Sequence, residues 1–434
     1  MEFKKYKLNE VLTLNPTLKL KKNTIAKKIA MENIKEYQKK IDSYTYSEFK
    51  SGSKFMNGDT LLARITPCLE NGKTAYVDIL DENEIAFGST EFFVLRPKDN
   101  LMDSHFLYYL MRTNELRNTI IKSMTGTSGR QRAQKESILE YEFCLPSLKI
   151  QTAIAKLLKN LDDKIETNKK IIANLEELSQ TLFKRWFVDF EFPDENGNPY
   201  KSSGGDMVES ELGEIPLNWK CSKIKDINVI ISDHVANGSF KSLKENVQFT
   251  EDLNDKYAVF ARNVDLKKGD NRFEKYVTKS SYEFLRKSHL HGHEVIISNV
   301  GDVGSVYLSP ILNRPMVLGN NQIFINSDEK SLNYYFYLFF KSSIGKNLID
   351  SITSGSVQMK FNKTDLRNSL IVFPCKNDMN NLITVIKKYI YSIENKKSEN
   401  MQLIQLRDTL LPKLMSGEIE ILDDIEVMED ELSI

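Results

Sequence analysis

NGDTLLARITPCLENGKTAYV at 57–77 and AFGSTEFFVL at 86–95 have later counterparts, HGHEVIISNVGDVGSVYL at 291–308 and VLGNNQIFIN at 317–326. Gly58 matches Gly292 at an offset of 234, Gly88 matches Gly319 at 231, and Pro146 matches Pro374 at 228. From Ile165/Ile393 to Leu182/Leu410 the offset stays at 228. TSGRQRAQKESILEYEFCLP (127–146) likewise faces TSGSVQMKFNKTDLRNSLIVFPC (353–375). One similarity of this kind is chance; an ordered series with a slowly drifting offset is a duplication. Each copy holds β-branched and aromatic runs (FFVL, EVIIS, QIFIN) punctuated by Gly and Asn, which implies an irregular sheet. A short helix is expected next, around 105–122 and 332–348, then a TSG loop, a strand ending at Pro, and a long helix.

The long helices carry heptad seams. Leu158, Leu161, Ile165, Asn168, Ile172, Leu175, Ser179 and Leu182 alternate spacings of three and four. Ile386, Tyr389, Ile393, Lys396, Asn400, Leu403, Arg407 and Leu410 repeat the pattern. No Pro or Gly interrupts 149–192, so a helix of about 36–40 residues, roughly 55–60 Å, is expected there. The two seams can cover each other, and polar members (Asn168, Lys396, Asn400) restrict register.

Length and composition agree with two or three soluble domains: 434 residues, 41% hydrophobic and 28% charged. No stretch approaches the roughly 18 apolar residues of a membrane helix. The opening MEFKKYKLNEV has no apolar core of a signal peptide, and the four scattered cysteines form no CxxC. A cytoplasmic protein is expected. Net charge is zero, with 60 Lys+Arg against 60 Asp+Glu. Residues 189–214 carry −7 and residues 417–434 carry −8, which leaves +15 on the other 390. The body is basic; the acid sits in a linker expected to pack little before Ile215–Trp219 and in a solvated tail. The expected division is 1–148 (first repeat), 149–190 (central helix), 191–214 (acidic linker), 215–376 (second repeat), 377–417 (C-terminal helix) and 418–434 (acidic tail).

Catalytic motifs are missing. There is no GxxxxGK[ST], GxSxG or HExxH, and no Pro-Pro pair of an adenine methyltransferase loop. The GxxG fragments at Gly126/Gly129 and Gly301/Gly304 read as tight turns. Asp328-Glu329-Lys330 imitates the end of a nuclease metal site but has no upstream carboxylate on a strand. His289, His291 and His293 would share one strand face, where imidazoles can bind zinc; a polar face near solvent or DNA is the favoured reading, so no metal is assigned. Tyr334–Phe340 is aromatic enough to stack bases, yet its helical spacing fits core better. The TSG loops are the better functional candidates. Lys122, Arg130, Arg132 and Lys135 occur there without an acid, and glycines let a backbone approach closely while Arg pairs with guanine edges.

RITPCLENGK (64–73), the TSG loop running to LP or FP, LFKRWFVDFEFP (182–193), ELGEIPLNW (211–219) and LRDTLLPKLMSGEI (406–419) resemble specificity subunits of type I restriction–modification systems. The resemblance spans nearly the whole chain in the family's order. It implies an α+β fold with two target-recognition domains, irregular β-sheets with short helices, separated by two long helices pairing as an antiparallel coiled coil. It implies a reader of double-stranded DNA, not an enzyme, each repeat binding half of an asymmetric bipartite target. Modification subunits, two of them, would dock on the helices and methylate adenine N6; restriction subunits would cleave. S-adenosylmethionine, ATP and Mg belong to those partners, none to this chain.

Helix length would then set the gap between half-sites. The expected DNA contacts are Arg64, Thr66, Thr90, Lys122, Ser128, Arg130, Gln131, Arg132 and Lys135 in the first repeat. In the second they are Asn299, Asn321, Ser354, Gln358, Lys360, Asn362 and Lys363. Lys169, Lys170, Glu176 and Glu177 are the expected docking residues. Arg64-Ile65-Thr66-Pro67-Cys68 stands where the second repeat has Ser298-Asn299-Val300-Gly301-Asp302, so the two half-sites should differ. Two other readings are a reader serving a fused methyltransferase-nuclease partner and, distantly, a metal-dependent nuclease using Asp328 and Lys330.

Overall fold

Phe92–Pro97 (FFVLRP) and Gln322–Asn326 (QIFIN) are β-branched and aromatic runs, and each becomes an inner strand of a four-stranded antiparallel sheet. The computed structural model describes residues 3–127, 129–252, 254–355 and 358–421; Ser128 and the tail from 422 onward lie outside them. Contacts group the chain into two units, Met1–Thr167 with Asn400–Ile434, and Asn168–Glu399.

In the first unit the strands are β1 (Phe3–Lys7), β2 (Leu12–Leu14), β3 (Ile25–Ile29), β4 (Thr45–Glu48), β5 (Ser53–Phe55), β6 (Thr60–Ala63), β7 (Thr74–Tyr76), β8 (Ala86–Gly88), β9 (Phe92–Pro97) and β10 (Glu142–Pro146). Its helices are α1 (Leu8–Val11), α2 (Ser104–Leu110), α3 (Asn114–Lys122), α4 (Lys135–Leu139) and the start of α5 (Leu148–Phe187). One sheet runs β2-β9-β6-β7, a second runs β4-β3-β8-β5, and β1 pairs with β10.

The second unit opens with the hairpin β11 (Met207–Ser210) and β12 (Gly213–Pro216). Then come β13 (Lys220–Lys223), β14 (Ile230–Asp233), β15 (Phe249–Thr250), β16 (Ala258–Ala261), β17 (Tyr276–Val277), β18 (His289–Leu290), β19 (Val295–Ser298), β20 (Val306–Leu308), β21 (Met316–Leu318), β22 (Gln322–Asn326) and β23 (Leu370–Phe373). The helices are α6 (Phe240–Asn246), α7 (Asn263–Lys268), α8 (Lys279–Phe284), α9 (Lys330–Lys341), α10 (Ser343–Ile352), α11 (Lys363–Asn368) and α12 (Lys376–Ser416).

Its sheets run β14-β22-β19-β20 and β15-β17-β16-β21-β18, with β13 on β23. Strand for strand these sheets are the first unit's again with β15 added at an edge, and the β11–β12 hairpin is the other addition. Even the single parallel pair recurs, β3 with β8 and β16 with β21.

Each expected short helix is in fact two. Asp103 caps α2 by accepting from the Phe106 amide, and the chain turns again at Thr113. Ser342 sits extended between α9 and α10 and accepts from the Gly345 amide. A Cβ on Gly345 would stand 2.1 Å from the Phe339 carbonyl, so that corner requires glycine. The aromatic run of α9 is core: Tyr334, Tyr335, Phe336, Phe339 and Phe340 are buried.

The long helices pair antiparallel inside each unit. In the first, Asp162 meets Arg407 at 2.6 Å and the Ile165 carbonyl accepts from Asn400 Nδ2 at 3.4 Å. Ile154, Leu158, Leu411 and Leu414 join the core there. In the second, Phe183 and Phe187 share a core with Leu382, Ile386 and Ile390, and Lys397 lies 3.8 Å from Glu176. Leu158, Ile165, Ile386 and Ile393 are buried; Leu161, Ile172, Leu175, Leu182, Leu403 and Leu410 are half-buried. Each long helix therefore also contributes side chains to the core of each unit.

The acidic linker folds, against expectation. Phe192 is buried, its ring stacked on Tyr200 at 4.6 Å and on Trp219 at 5.2 Å. Asp194 Oδ1 accepts from the Asn196 and Asn198 amides, so this acid builds a turn. Among the described residues no helix is long and apolar enough to cross a membrane.

Candidate nucleic-acid interface

The chain leaves β6 at Arg64 and is met there by the loop that follows α3. Arg64 N donates to the Glu91 carbonyl (3.0 Å), Ala133 N to the Arg64 carbonyl (2.8 Å), and Thr66 N to the Gln131 carbonyl (3.0 Å). Thr125 and Arg132 bridge each other, closing a small hairpin, and Arg132 also bridges Ile65. The second repeat uses the same backbone pattern. Asn299 N donates to the Asn321 carbonyl (3.0 Å) and Phe361 N to the Asn299 carbonyl (3.2 Å). Val300 bridges Lys360, which also bridges Ser354.

These bonds define which residues are equivalent: Arg64 with Asn299, Glu91 with Asn321, Thr125 with Ser354, Arg132 with Lys360. Two sequence matches shift as a result. Ala63 pairs with Phe92 as Ser298 pairs with Gln322, so Arg64 corresponds to Asn299 and not to Ser298. The two TSG strings are not equivalent either. Gly126 (φ 125°) and Gly355 (φ 115°) occupy the same turn; a Cβ would approach the Arg130 carbonyl to 3.2 Å and the Gln358 carbonyl to 2.4 Å. Gly129, at the loop tip, has open space where its Cβ would be. The first loop is one residue longer, which is why matching three letters misplaced it.

The side chains differ between the copies. In the first, Arg64 and Arg132 share one carboxylate. Arg64 Nε donates to Glu91 Oε2 (3.1 Å); Arg132 Nη2 donates to Oε1 (2.7 Å) and its Nε to both oxygens. Arg132, more than Arg64, holds the Glu91 carboxyl below the usual carboxylate range. Arg130 is exposed at the tip, Thr90 is exposed beside Glu91, and Lys122 and Lys135 are exposed where α3 ends and α4 begins. Thr66 Oγ1 faces Met124 Sδ at 3.9 Å, and Gln131 is half-buried.

In the second repeat Asn321 (φ 64°), Ser354, Gln358 and Lys360 are exposed, and Asn299 Nδ2 donates to the Phe361 carbonyl at 3.2 Å. Asn362 caps α11, accepting from the Asp365 amide, and Lys363 pairs with Asp233 at 3.1 Å. Those two side chains are occupied by the fold. On α5, Lys170 and Glu177 are exposed, Lys169 is half-buried and Glu176 faces Lys397.

Of the three histidines, His289 and His291 come together, ring centroids 6.3 Å apart and edge to face, and His293 does not join them. His289 stacks on Tyr282 with ring centroids 3.8 Å apart, His291 is exposed, and His293 sits at φ 67° between Tyr334 Oη (2.8 Å) and Glu394 Oε1 (2.5 Å). Lys330 Nζ is turned to the Gly292 carbonyl and Asn326 Oδ1, away from any carboxylate pair. Among the described residues no group of three or more His, Cys, Asp or Glu is placed to hold a metal. Sequence reasoning missed Glu91. Its signal was present: one acid inside AFGSTEFFVL, next to a loop otherwise free of acid.

The family model for the type I restriction modification DNA specificity domain matches residues 1–177 and again 216–404. The type I restriction enzyme HindI specificity subunit of Haemophilus influenzae is 25% identical over 422 residues, covering 83% of this chain and 86% of that protein. The MjaIX specificity subunit of Methanocaldococcus jannaschii is 26% identical over 334 residues, 75% of this chain and 71% of that one. In fold, the S subunit of a type I restriction–modification system from M. genitalium aligns over 97% of both chains with a TM-score of 0.52 at 16% identity. Two tandem specificity domains on one duplicated scaffold make this chain a DNA-recognition subunit rather than an enzyme, and it belongs to the type I restriction–modification DNA specificity family.

Proposed function

We propose that each repeat reads one half of an asymmetric bipartite site in double-stranded DNA. The observation that carries this reading is the pair of loops: one backbone scaffold, used twice, with different groups at equivalent positions. Arg64, Glu91 and Arg132 stand where the other copy has Asn299, Asn321 and Lys360. Arginine forks and carboxamides pair with different base edges, while contacts of lysines and hydroxyls to phosphate carry no sequence information. Arg130, Gln131, Thr66, Thr90, Gln358 and Ser354 extend the two reading surfaces, and Lys122 and Lys135 supply backbone grip.

Two modification subunits would dock along α5 and α12, using outward groups such as Lys170 and Glu177. They bring S-adenosylmethionine and methylate adenine N6; restriction subunits bring ATP and Mg and cleave. This chain supplies the address and no cofactor, working in the cytoplasm. Co-expression with the cognate modification subunit in a methylation-free host, followed by sequencing for N6-methyladenine, tests the proposal. One motif with two unlike halves and a fixed gap is expected. A palindromic motif, or none from an intact complex, would overturn it.

A further inference from the structure

The first repeat places two guanidinium groups on a single carboxylate at the mouth of the loop, leaving one net positive charge. Glu91 is used up: Oε1 takes Arg132 Nη2 and Nε, and Oε2 takes Arg132 Nε and Arg64 Nε. Arg132 is fixed at its backbone as well, bridged to both Ile65 and Thr125. Arg64 is held differently. Only its Nε is engaged, and its guanidinium lies 5.6 Å from the Phe93 ring centroid. Its Nη1 and Nη2 have no partner among the described residues, so a complete two-donor edge is free at a fixed angle. Its side chain is 32% exposed, enough to be reached.

The geometry points to Glu91 as the positioning residue of the first reading surface, holding the Arg64 guanidinium so that its free amino groups form a fork for guanine O6 and N7. This rests on the reading of the chain as a DNA reader and adds the base class and the residue that sets it. Two parallel N–H donors match the two acceptors that guanine alone presents in the major groove. Ordering the long side chain before binding removes an entropic cost from the complex. The carboxylate would otherwise repel DNA, but its oxygens are already saturated by Arg132 and Arg64. The second repeat has no such device, because Asn321 replaces Glu91 and Asn299 replaces Arg64 at the equivalent positions. It therefore serves as an internal control.

The test uses the full chain in complex with its modification subunit and a pool of randomised DNA duplexes, with the bound fraction sequenced. Wild type is expected to select a guanine in one half-site. R64K, which keeps charge but loses the fork, and E91Q, which releases it, should both relax that position by about tenfold or more, with the other half unchanged. Preference retained in R64K, or retained in E91Q, overturns the assignment. So does a first half-site without guanine. No enriched sequence even for wild type is a different failure, that of the DNA-reading proposal itself. Should E91Q not fold, E91D keeps the carboxylate and decides: guanine preference retained supports the role, preference gone with the other half intact overturns it.

Discussion

Gly355 shows how one backbone angle constrains a recognition loop. At φ 115° and with a Cβ position 2.4 Å from the Gln358 carbonyl, G355A should strain the turn by about 1–2 kcal/mol. Recognition of the second half-site is expected to weaken while the first is kept, as read by competition binding with duplexes altered in one half. His105 carries a second, independent prediction. Burial, and then the Lys39 charge, push its imidazole down to about 4 from 6.5. The unfolded chain therefore takes up a proton near pH 6.5 that the folded chain refuses until about pH 4. This contribution to stability is present above 6.5 and is lost as pH falls toward 4. Melting temperature should drop over that window, and less steeply in H105Q. At this scale the sequence named most exposed loop residues but not their occupations. Asn362 and Lys363 look like free polar groups in a string of letters; a helix cap and Asp233 claim them in space.

The heptad seam was legible because spacings of three and four survive without any tertiary information. Asp162 was not, since it falls between the seam positions Leu161 and Ile165. It is nevertheless buried, bonded to Arg407 Nη1 at 2.6 Å and accepting from Tyr109 Oη at 2.7 Å. D162A would leave the buried Arg407 guanidinium with only the Asp408 carboxylate (2.8 Å) and the Tyr109 hydroxyl without its acceptor, and should cost about 3 kcal/mol, whereas D162L with R407L and Y109F should be near neutral. Urea denaturation of the two variants would distinguish the costs. The linker was misread for a physical reason: its acids made it look solvated, while Phe192, Tyr200 and Trp219 supply a stack that composition averages hide.

The continuity of α5 through residue 187 bears on half-site spacing. One heptad added to α5 between Ile165 and Glu176, and one to α12 between Lys397 and Asn400, keeps the seam in phase and adds about 10 Å. The recognised gap should grow by about three base pairs at 3.4 Å each. A methylation motif with unchanged gap would show that the helices do not set it.

For the molecule as a whole, duplication was the most legible feature. The drifting offsets already encode insertions in loops, and the strand orders of the two units repeat as those offsets require. What letters alone misaligned, by one residue at Ser298 and by the TSG match at Gly355, the hydrogen-bond pattern corrected. If one scaffold is used twice, its loop side chains should choose the bases. A symmetrised chain tests this directly: residues 220–373 replaced by residues 4–145, cut where Lys4 opposes Leu145 as Lys220 opposes Phe373. The measurement is the N6-methyladenine motif produced with the cognate modification subunit. A site containing the first half-site twice is expected. An intact complex that still methylates a site with two unlike halves would contradict it.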